Sequence, residues 1–217
     1  MIGGPAAFGS AFSYSPLFGA RFYGLGNEGA AVLVGAALTF VGARVDRYGQ
    51  RRSRDHLGLG ALIVAVAVLP MLGANFGVAA WGTAAFVAAY LYAAARRLDR
   101  RTVLMSLGVA VALIVLAAGI DAVTAGASHL GRLAGGIGGL MPMVPRKLAL
   151  SLAILTATPL VVLLPVTIGA IVYLLMRPSG PLGEAIVAHR GMSSALVGGV
   201  TAAVVGLLTE DSGVAVS

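Results

Sequence analysis

The sequence predicts an all-α, polytopic membrane protein, a bundle of transmembrane helices, and three observations lead to this prediction. Of the 217 residues, 59% are hydrophobic and 11% are charged, whereas an ordinary soluble domain is about half apolar and about a quarter charged. The mean hydropathy is +0.95. The apolar residues also fall in long blocks, and a helix needs about 20 of them to cross a bilayer. We therefore expect residues 1–217 to form a single integral membrane domain.

Six apolar stretches are candidate membrane spans. The second and third come from one uncharged run of 39 residues, 57–95, which could form about 58 Å of helix at about 1.5 Å per residue. That length corresponds to two spans, and Pro70 and Gly73 supply the break between them. The other predicted spans are 27–43, 102–120, 148–176, which contains Pro159 and Pro165, and 191–208.

The basic residues predict how the spans are oriented. Alternate connections carry five, four and two Lys or Arg, against one, zero, three and zero in the others. Because cytoplasmic loops are enriched in basic residues, we expect the first group in the cytoplasm and the N-terminus outside. Arg supplies fourteen of the fifteen basic residues, as is typical of GC-rich bacteria, so the expected location is a bacterial inner membrane. The net charge of +7 then reflects topology and does not indicate nucleic-acid binding.

A short motif recurs at three predicted outer ends of helices, as NEGAA from Asn27, NFGVA from Asn75 and DSGVA from Asp211. Asn and Asp are favoured N-cap residues, so we expect each motif to cap a helix that runs inward. The third copy starts only seven residues from the end of the sequence, which predicts the start of a seventh helix and a longer parent chain. Capped helix starts attract anions. If the three starts converge, they form an outward-facing anion site; the alternative is that each motif caps only its own helix.

The candidate site residues lie around these predicted outer ends. The substrate-binding candidates are Arg21, Asn27, Asn75, Arg132, Asp211 and Ser212, and the catalytic candidates, for moving a proton, are Glu28 and His129. His129 and Arg132 would share a helix face, although a solvated interfacial turn has the same pattern. Glu210 beside Asp211 could bind a cation or share a proton; the alternative is a cap next to a solvated neighbour. The sequence has no Cys and no metal-ligand spacing of His, and it indicates no cofactor.

Three functions fit these features. The first is the membrane part of an envelope enzyme that binds an anionic, phosphorylated or lipid-linked substrate at the outer face. The second is a transporter or flippase for such a substrate, although no Asp, Glu, Lys, Arg or His lies within the core of a predicted span, where ion-coupled carriers usually need one. The third is a non-catalytic scaffold in the lipid bilayer, for which a ridge of small residues allows close approach of a partner helix. The ridge consists of Ser194, Gly198, Ala202 and Gly206.

Two blocks of sequence resemble an uncharacterised family of bacterial multipass membrane proteins. The first is the string Gly-Ala-Arg-aromatic-Tyr-Gly-x-Gly-Asn-Glu, residues 19–28, and the second is Asp-Ser-Gly, residues 211–213. Members of this family look like envelope proteins, sometimes joined to an alkaline-phosphatase-like soluble domain that is not present here. The chain has Glu210 where the family pattern has Asn. The resemblance implies a shared outer-face site that involves Arg21, Asn27, Glu28, Asp211 and Ser212.

Overall fold

The computed structural model describes residues 25–69, 72–73, 75–124 and 163–209, and within these ranges the regular elements are all helices. The predicted all-α fold class is confirmed there. In chain order the elements are α1 (Asn27–Tyr48), a 3-10 helix (Gln50–Arg54), α2 (Asp55–Val68), α3 (Val78–Ala93), α4 (Arg100–Thr124), α5 (Leu163–Met176), α6 (Gly180–Ala188) and α7 (Arg190–Thr209).

The predicted number of six membrane spans is not confirmed. Within the described ranges, α1 and α7 are the two helices that are long and apolar enough to cross a bilayer. The uncharged run 57–95 does divide into two helices, but α2 has 14 residues and α3 has 16, or about 21 and 24 Å at about 1.5 Å per residue. The predicted fifth span corresponds to α5 only over its second half, and residues 148–162 lie outside the described ranges.

Helices α1, α2, α3 and α7 share one apolar core that includes Leu38, Val64 and Trp81. Helix α7 lies antiparallel to both α1 and α3, since Gly191 packs on Gly42 near its start while Gly198 packs on Leu38 and Ala85 further along. The four members of the small-residue ridge are all buried. The helices that approach this ridge therefore include α1 and α3 of the same chain.

The crossing of α7 over α1 requires glycine on both helices. A Cβ atom on Gly191 would collide with the carbonyl oxygen of Gly42 and lie 2.9 Å from the backbone nitrogen of Asp46. A Cβ atom on Gly42 would lie 2.5 Å from the carbonyl oxygen of Gly191. Since backbone atoms on both sides make the contact, neither helix can yield by rotating a side chain. The small residues thus fix how closely the two long helices approach.

The bundle has two chemically different ends. The asparagine end contains the start of α1 and the connection between α2 and α3, with Asn27 and Asn75. The arginine end contains the end of α1, the 3-10 helix, the connection between α3 and α4, and the start of α7. Among the helix residues whose side chains are described, none between these two ends is charged.

Candidate functional site

The asparagine end is built on a hydrogen bond between the two Asn residues that the sequence motifs singled out. Nδ2 of Asn75 donates to Oδ1 of Asn27 at 2.8 Å and to the carbonyl oxygen of Leu25 at 3.1 Å. Asn75 is completely buried and Asn27 nearly so. The structure therefore brings together two residues that are 48 positions apart, at the starts of two different helices.

Backbone hydrogen bonds hold this pair in place. The N–H of Leu25 donates to the carbonyl oxygen of Gly73 at 2.6 Å, and the N–H of Asn75 donates to that of Ala67 at 2.8 Å. Gly73 is needed here, because an added Cβ atom would collide with the backbone of Ala67. Leu25, just before α1, is thus hydrogen-bonded to the turn between α2 and α3. A larger residue in the turn would separate them.

The predicted capping role of the two Asn residues is wrong. The N-cap residues are Gly26 for α1 and Gly77 for α3, and neither helix has a side-chain cap hydrogen bond. Asn27 is the first residue inside α1, and Asn75 precedes the cap of α3 by two positions. Their side chains bond to each other and to the chain before α1 because burial leaves no water to satisfy the amide groups.

Asn75 has one buried atom without a partner. The carbonyl oxygen of Leu25 can only accept a hydrogen bond, so it fixes Nδ2 of Asn75 as the atom that faces it. Oδ1 then points away from both partners, and among the described residues nothing donates a hydrogen bond to it. A buried acceptor left unpaired costs about 1–3 kcal/mol. This atom is therefore the natural place for a donor group from outside the described residues.

The other candidate site residues have different positions. Glu28 is exposed in the first turn of α1, next to the buried Asn27. Arg21, His129, Arg132, Glu210, Asp211 and Ser212 lie outside the described ranges. The described part of the predicted site is thus Asn27, Glu28 and Asn75. Within the described ranges, no group of three His, Asp or Glu residues could hold a metal ion.

At the arginine end, the start of α7 is held by two charged residues. The carboxylate of Asp46, on α1, accepts hydrogen bonds from the N–H groups of Gly191 at 2.6 Å and Met192 at 3.0 Å. Arg190 donates to the carbonyl oxygens of Ala93 at 3.2 Å and Tyr92 at 2.8 Å, at the end of α3. Opposite charges therefore complement opposite helix ends. At this helix start the N–H groups are satisfied by Asp46 of the same chain; the anion site predicted from the sequence belongs to the opposite end and stays a prediction.

A buried histidine and serine lie beside this junction. In His56, Nδ1 faces the carbonyl oxygen of Ser53 at 3.1 Å, and Nε2 faces Oγ of Ser194 at 3.3 Å. Because a carbonyl oxygen only accepts, Nδ1 carries the proton, and Nε2 of the neutral ring is an acceptor. The hydroxyl of Ser194 also donates to the carbonyl oxygen of Gly191 at 2.6 Å. Its single proton cannot complete both bonds.

His56 directly precedes the apolar run that starts at Leu57. Burial lowers the pKa of His56, and the hydrogen bond to Ser53 and the charge of Asp55 oppose this shift. A serine beside a neutral histidine is the arrangement of an activated nucleophile. Here both side chains are fully buried, so a substrate carbonyl has no access to Oγ. We interpret the pair as a polar link between α2 and α7.

Sequence reasoning missed the arginine-end residues Asp46, His56 and Arg190. Asp46 and Arg190 stood in connections that were used only to count charge, and their hydrogen-bond partners are 97 or more positions distant along the chain. The signal available was an Asp near the end of one apolar helix and a single Gly at the start of another. That signal does not identify which two helices meet.

Comparison of the sequence with protein-family models, and of the chain with curated proteins and solved structures, gives no match. The resemblance to the bacterial envelope family therefore stays a prediction.

Proposed function

We propose that this chain is a multipass domain of a bacterial inner membrane. The support comes from the distribution of side chains. Eight large apolar side chains of α4 are exposed; Leu107 and Val111, for example, are both 58% exposed. On the same helix, Ala110 is buried. The polar side chains Asn75, His56 and Ser194 are instead fully buried. Contiguous apolar surface of this extent is unfavourable in water and favourable against lipid.

The lengths of the helices are compatible with a membrane location. Helices α1 and α7 reach the length that a bilayer needs. Helices α2 and α3 are shorter, but the bilayer can thin locally, at a modest free-energy cost, around short helices that pack on long ones. The arginine end would face the cytoplasm by the positive-inside rule. The N-terminus and the asparagine end would then face outward.

The function that we propose is binding of a phosphorylated or lipid-linked envelope substrate at the asparagine end, as the membrane part of an envelope enzyme. The observation that supports it is the buried Oδ1 of Asn75, which has no hydrogen-bond partner among the described residues, beside a helix start that lacks a side-chain cap. The N–H groups of Glu28 and Gly29, in the first turn of α1, would donate to phosphate oxygens, and Oδ1 of Asn75 would accept a hydrogen bond from a hydroxyl of the substrate. A phosphate ester or phosphorylated polyol supplies both.

Other residues extend this site in the proposal. Glu28 is exposed beside Asn27 and would carry the proton in a transfer step, with His129 as the second candidate. Helix α7 runs back toward the asparagine end and ends at Thr209, two positions before Asp211 in the sequence. This direction supports convergence of the third motif with the first two. Arg21 and Arg132 would bind the negative charge of the substrate.

The alternatives have less support. A transporter or flippase needs polar groups along a path between the two faces, whereas the charged side chains of the described residues lie at the ends. A scaffold that docks a partner through the small-residue ridge would need that ridge exposed. Ser194 is fully buried and Ala202 is 7% exposed, against helices of this chain.

The membrane placement is tested by cysteine labelling, since the native chain has no Cys. We would make Glu28→Cys and Leu72→Cys at the asparagine end, and Arg51→Cys and Arg97→Cys at the arginine end, all exposed positions. A membrane-impermeant maleimide applied to intact cells should label the first two. The other two should react only after the cells are permeabilised. Labelling of both ends in intact cells, or recovery of the protein in the soluble fraction, would refute the placement.

The ligand site is tested with the purified protein in detergent. Glycerol phosphate is the probe, and sodium chloride at the same ionic strength is the control. Saturating ligand should raise the thermal midpoint of the wild type, because a ligand at 100 times its Kd adds about 2.7 kcal/mol. Asn75→Ala should abolish the rise, while Leu72→Ala, an exposed change in the same connection, should retain it. An equal rise in both variants, or none in the wild type, would contradict the proposed site.

A further inference from the structure

The arginine end presents a cluster of exposed arginines that the proposed function does not use. Three are on the 3-10 helix and three in or next to the connection between α3 and α4, and all six are exposed. We call them the arginine surface: Arg51, Arg52, Arg54, Arg97, Arg100 and Arg101. The two segments lie at the same end because the 3-10 helix packs against α3.

Nearby carboxylates do not neutralise these six charges. Asp46 accepts the N–H groups at the start of α7. Asp55 pairs with Arg44 at 3.1 Å. Asp99 interacts with the side chain of Thr102 and accepts its backbone N–H at 2.7 Å, and these contacts lower the pKa of Asp99 more than the nearby charge of Arg101 does. Among the described residues, none of the six forms an ion pair or stacks on a ring.

Tyrosine rings and exposed apolar side chains border the arginine surface. Arg44 and Arg47 lie over the ring of Tyr48, at 5.7 and 5.4 Å, and Arg96 lies 6.0 Å from that of Tyr90. Tyrosine is enriched where a helix leaves the hydrocarbon for the headgroup region. The six charges therefore lie at the depth of lipid phosphates if the bundle is in a membrane.

The short helix α6 is a second feature that is typical of a membrane interface. It has nine residues, too few to cross a bilayer, and exposes Leu182 at 63% and Val187 at 56%. It is attached to the start of α7 by a hydrogen bond from the hydroxyl of Ser193 to the carbonyl oxygen of Ile186. A short helix with exposed apolar side chains next to arginines is suited to the boundary between acyl chains and headgroups. Nucleic acid would leave these apolar side chains without a partner.

We propose that the arginine surface binds the headgroups of anionic phospholipids, with phosphatidylglycerol as the representative ligand. The planar guanidinium group donates two parallel hydrogen bonds to a phosphate. Six arginines that lack carboxylate partners provide this chemistry at one face, while the bordering apolar side chains contact the acyl chains. This inference rests on the proposed membrane placement, which the labelling experiment tests separately.

The test measures lipid selectivity of the purified full-length protein in phosphatidylcholine bilayers. Spin-labelled phosphatidylglycerol and spin-labelled phosphatidylcholine report the relative association constant of the two lipids. We compare the wild type with the triple variant Arg51→Gln, Arg52→Gln, Arg54→Gln and with the matched triple variant Arg51→Lys, Arg52→Lys, Arg54→Lys. Each basic residue near an anionic membrane contributes about 1 kcal/mol, so losing one lipid contact reduces association about fivefold.

Each result either supports or overturns the inference. The wild type should prefer phosphatidylglycerol, the Gln variant should lose about fivefold or more of that preference, and the Lys variant should keep most of it. The preference should weaken in 1 M salt. No preference in the wild type, or equal preference in the wild type and the Gln variant, would overturn it. So would a single-stranded oligonucleotide that displaces the labelled phosphatidylglycerol at equal phosphate concentration. Equal thermal midpoints of the variants in pure phosphatidylcholine exclude misfolding as the cause.

Discussion

The two ends of the bundle join helices by different chemistry. At the arginine end, Asp46 and Arg190 place full charges on helix ends, and their partners satisfy them. At the asparagine end, two neutral amides bond to each other, and one amide oxygen of Asn75 has no hydrogen-bond partner among the described residues. Paired charges at helix ends stabilise the fold, whereas an unsatisfied buried acceptor lowers stability unless something binds it. This difference is the basis for proposing a ligand site at the asparagine end and a structural role for the charged junction at the arginine end.

The largest expected effect is at the glycine crossing of the arginine end. Gly191→Ala places a methyl group against the backbone of α1, so α7 must move away. We expect the free energy of unfolding to fall by about 3 kcal/mol, the upper part of the range for overpacking. Thermal and denaturant unfolding in detergent measure it.

The matched control for this change is Gly199→Ala on the same helix. An added Cβ atom there meets nothing within 4 Å, and alanine favours a helix by up to about 1 kcal/mol over glycine. The control should be neutral or stabilising. If the two variants were equally stable, the close crossing would not determine the packing of α7.

Removing the charge at the arginine end should have the next largest effect. Asp46→Ala leaves the N–H groups of Gly191 and Met192 without an acceptor, and we expect a loss of about 1–2 kcal/mol. The control is Glu184→Ala at the same end, where the carboxylate is exposed and has no ion pair with a described residue. Equal stability losses in both variants would show that the charge of Asp46 acts only through the net charge of that end.

The corresponding change at the asparagine end should be smaller without ligand. Asn75→Ala removes two hydrogen bonds, each worth about 1 kcal/mol, but it also removes an unpaired buried acceptor. Because Asn27 and Leu25 also lose the donor that Asn75 supplies, the two effects cancel only in part, and we expect a net loss of about 1 kcal/mol in the unliganded protein. Unfolding measured with and without glycerol phosphate should show a larger difference between the variant and the wild type when ligand is present. A loss of about 3 kcal/mol without ligand would show that Oδ1 of Asn75 is already satisfied.

The smallest expected effect is a pH dependence of stability that arises from His56 at the arginine end. Burial lowers the pKa of His56 below its ordinary value of 6.5, so the unfolded chain binds a proton more readily than the folded one. Stability is therefore full above about pH 6.5 and falls as the pH drops through the lowered pKa. His56→Gln should lack this component, while wild type and variant should have parallel profiles above pH 7. The facing groups are Ser53, Ser194 and the charge of Asp55.

Much of the fold follows directly from the sequence. Blocks of apolar residues without charge predict helices, and the break near Gly73 predicts that the run 57–95 forms two of them. The helix limits differ because flanking polar residues continue a helix beyond its apolar part, as Arg44 to Tyr48 do in α1. The span count is harder to predict, since a 14-residue and a 16-residue helix have the composition of longer spans.

The candidate site is predictable only in part. The repeated motif singled out Asn27 and Asn75 correctly as residues that belong to one end of the bundle, but it assigned them to capping. Capping is a local interaction that a single segment can satisfy, whereas the bond between the two amides joins segments 48 positions apart. The enzymatic roles of Glu28 and His129 remain predictions.

The sequence by itself determined the all-α class of the described part of the chain, because hydropathy and the absence of charge act locally and add up along each segment. It also determined which residues are small enough for close packing. Only the tertiary structure decided which helices meet. It placed Gly191 on Gly42, directed Asp46 to the start of α7, and left Oδ1 of Asn75 without a partner in the part of the chain that the structure describes. These outcomes depend on geometry between distant segments, and a pattern within one segment carries no information about the distance to another.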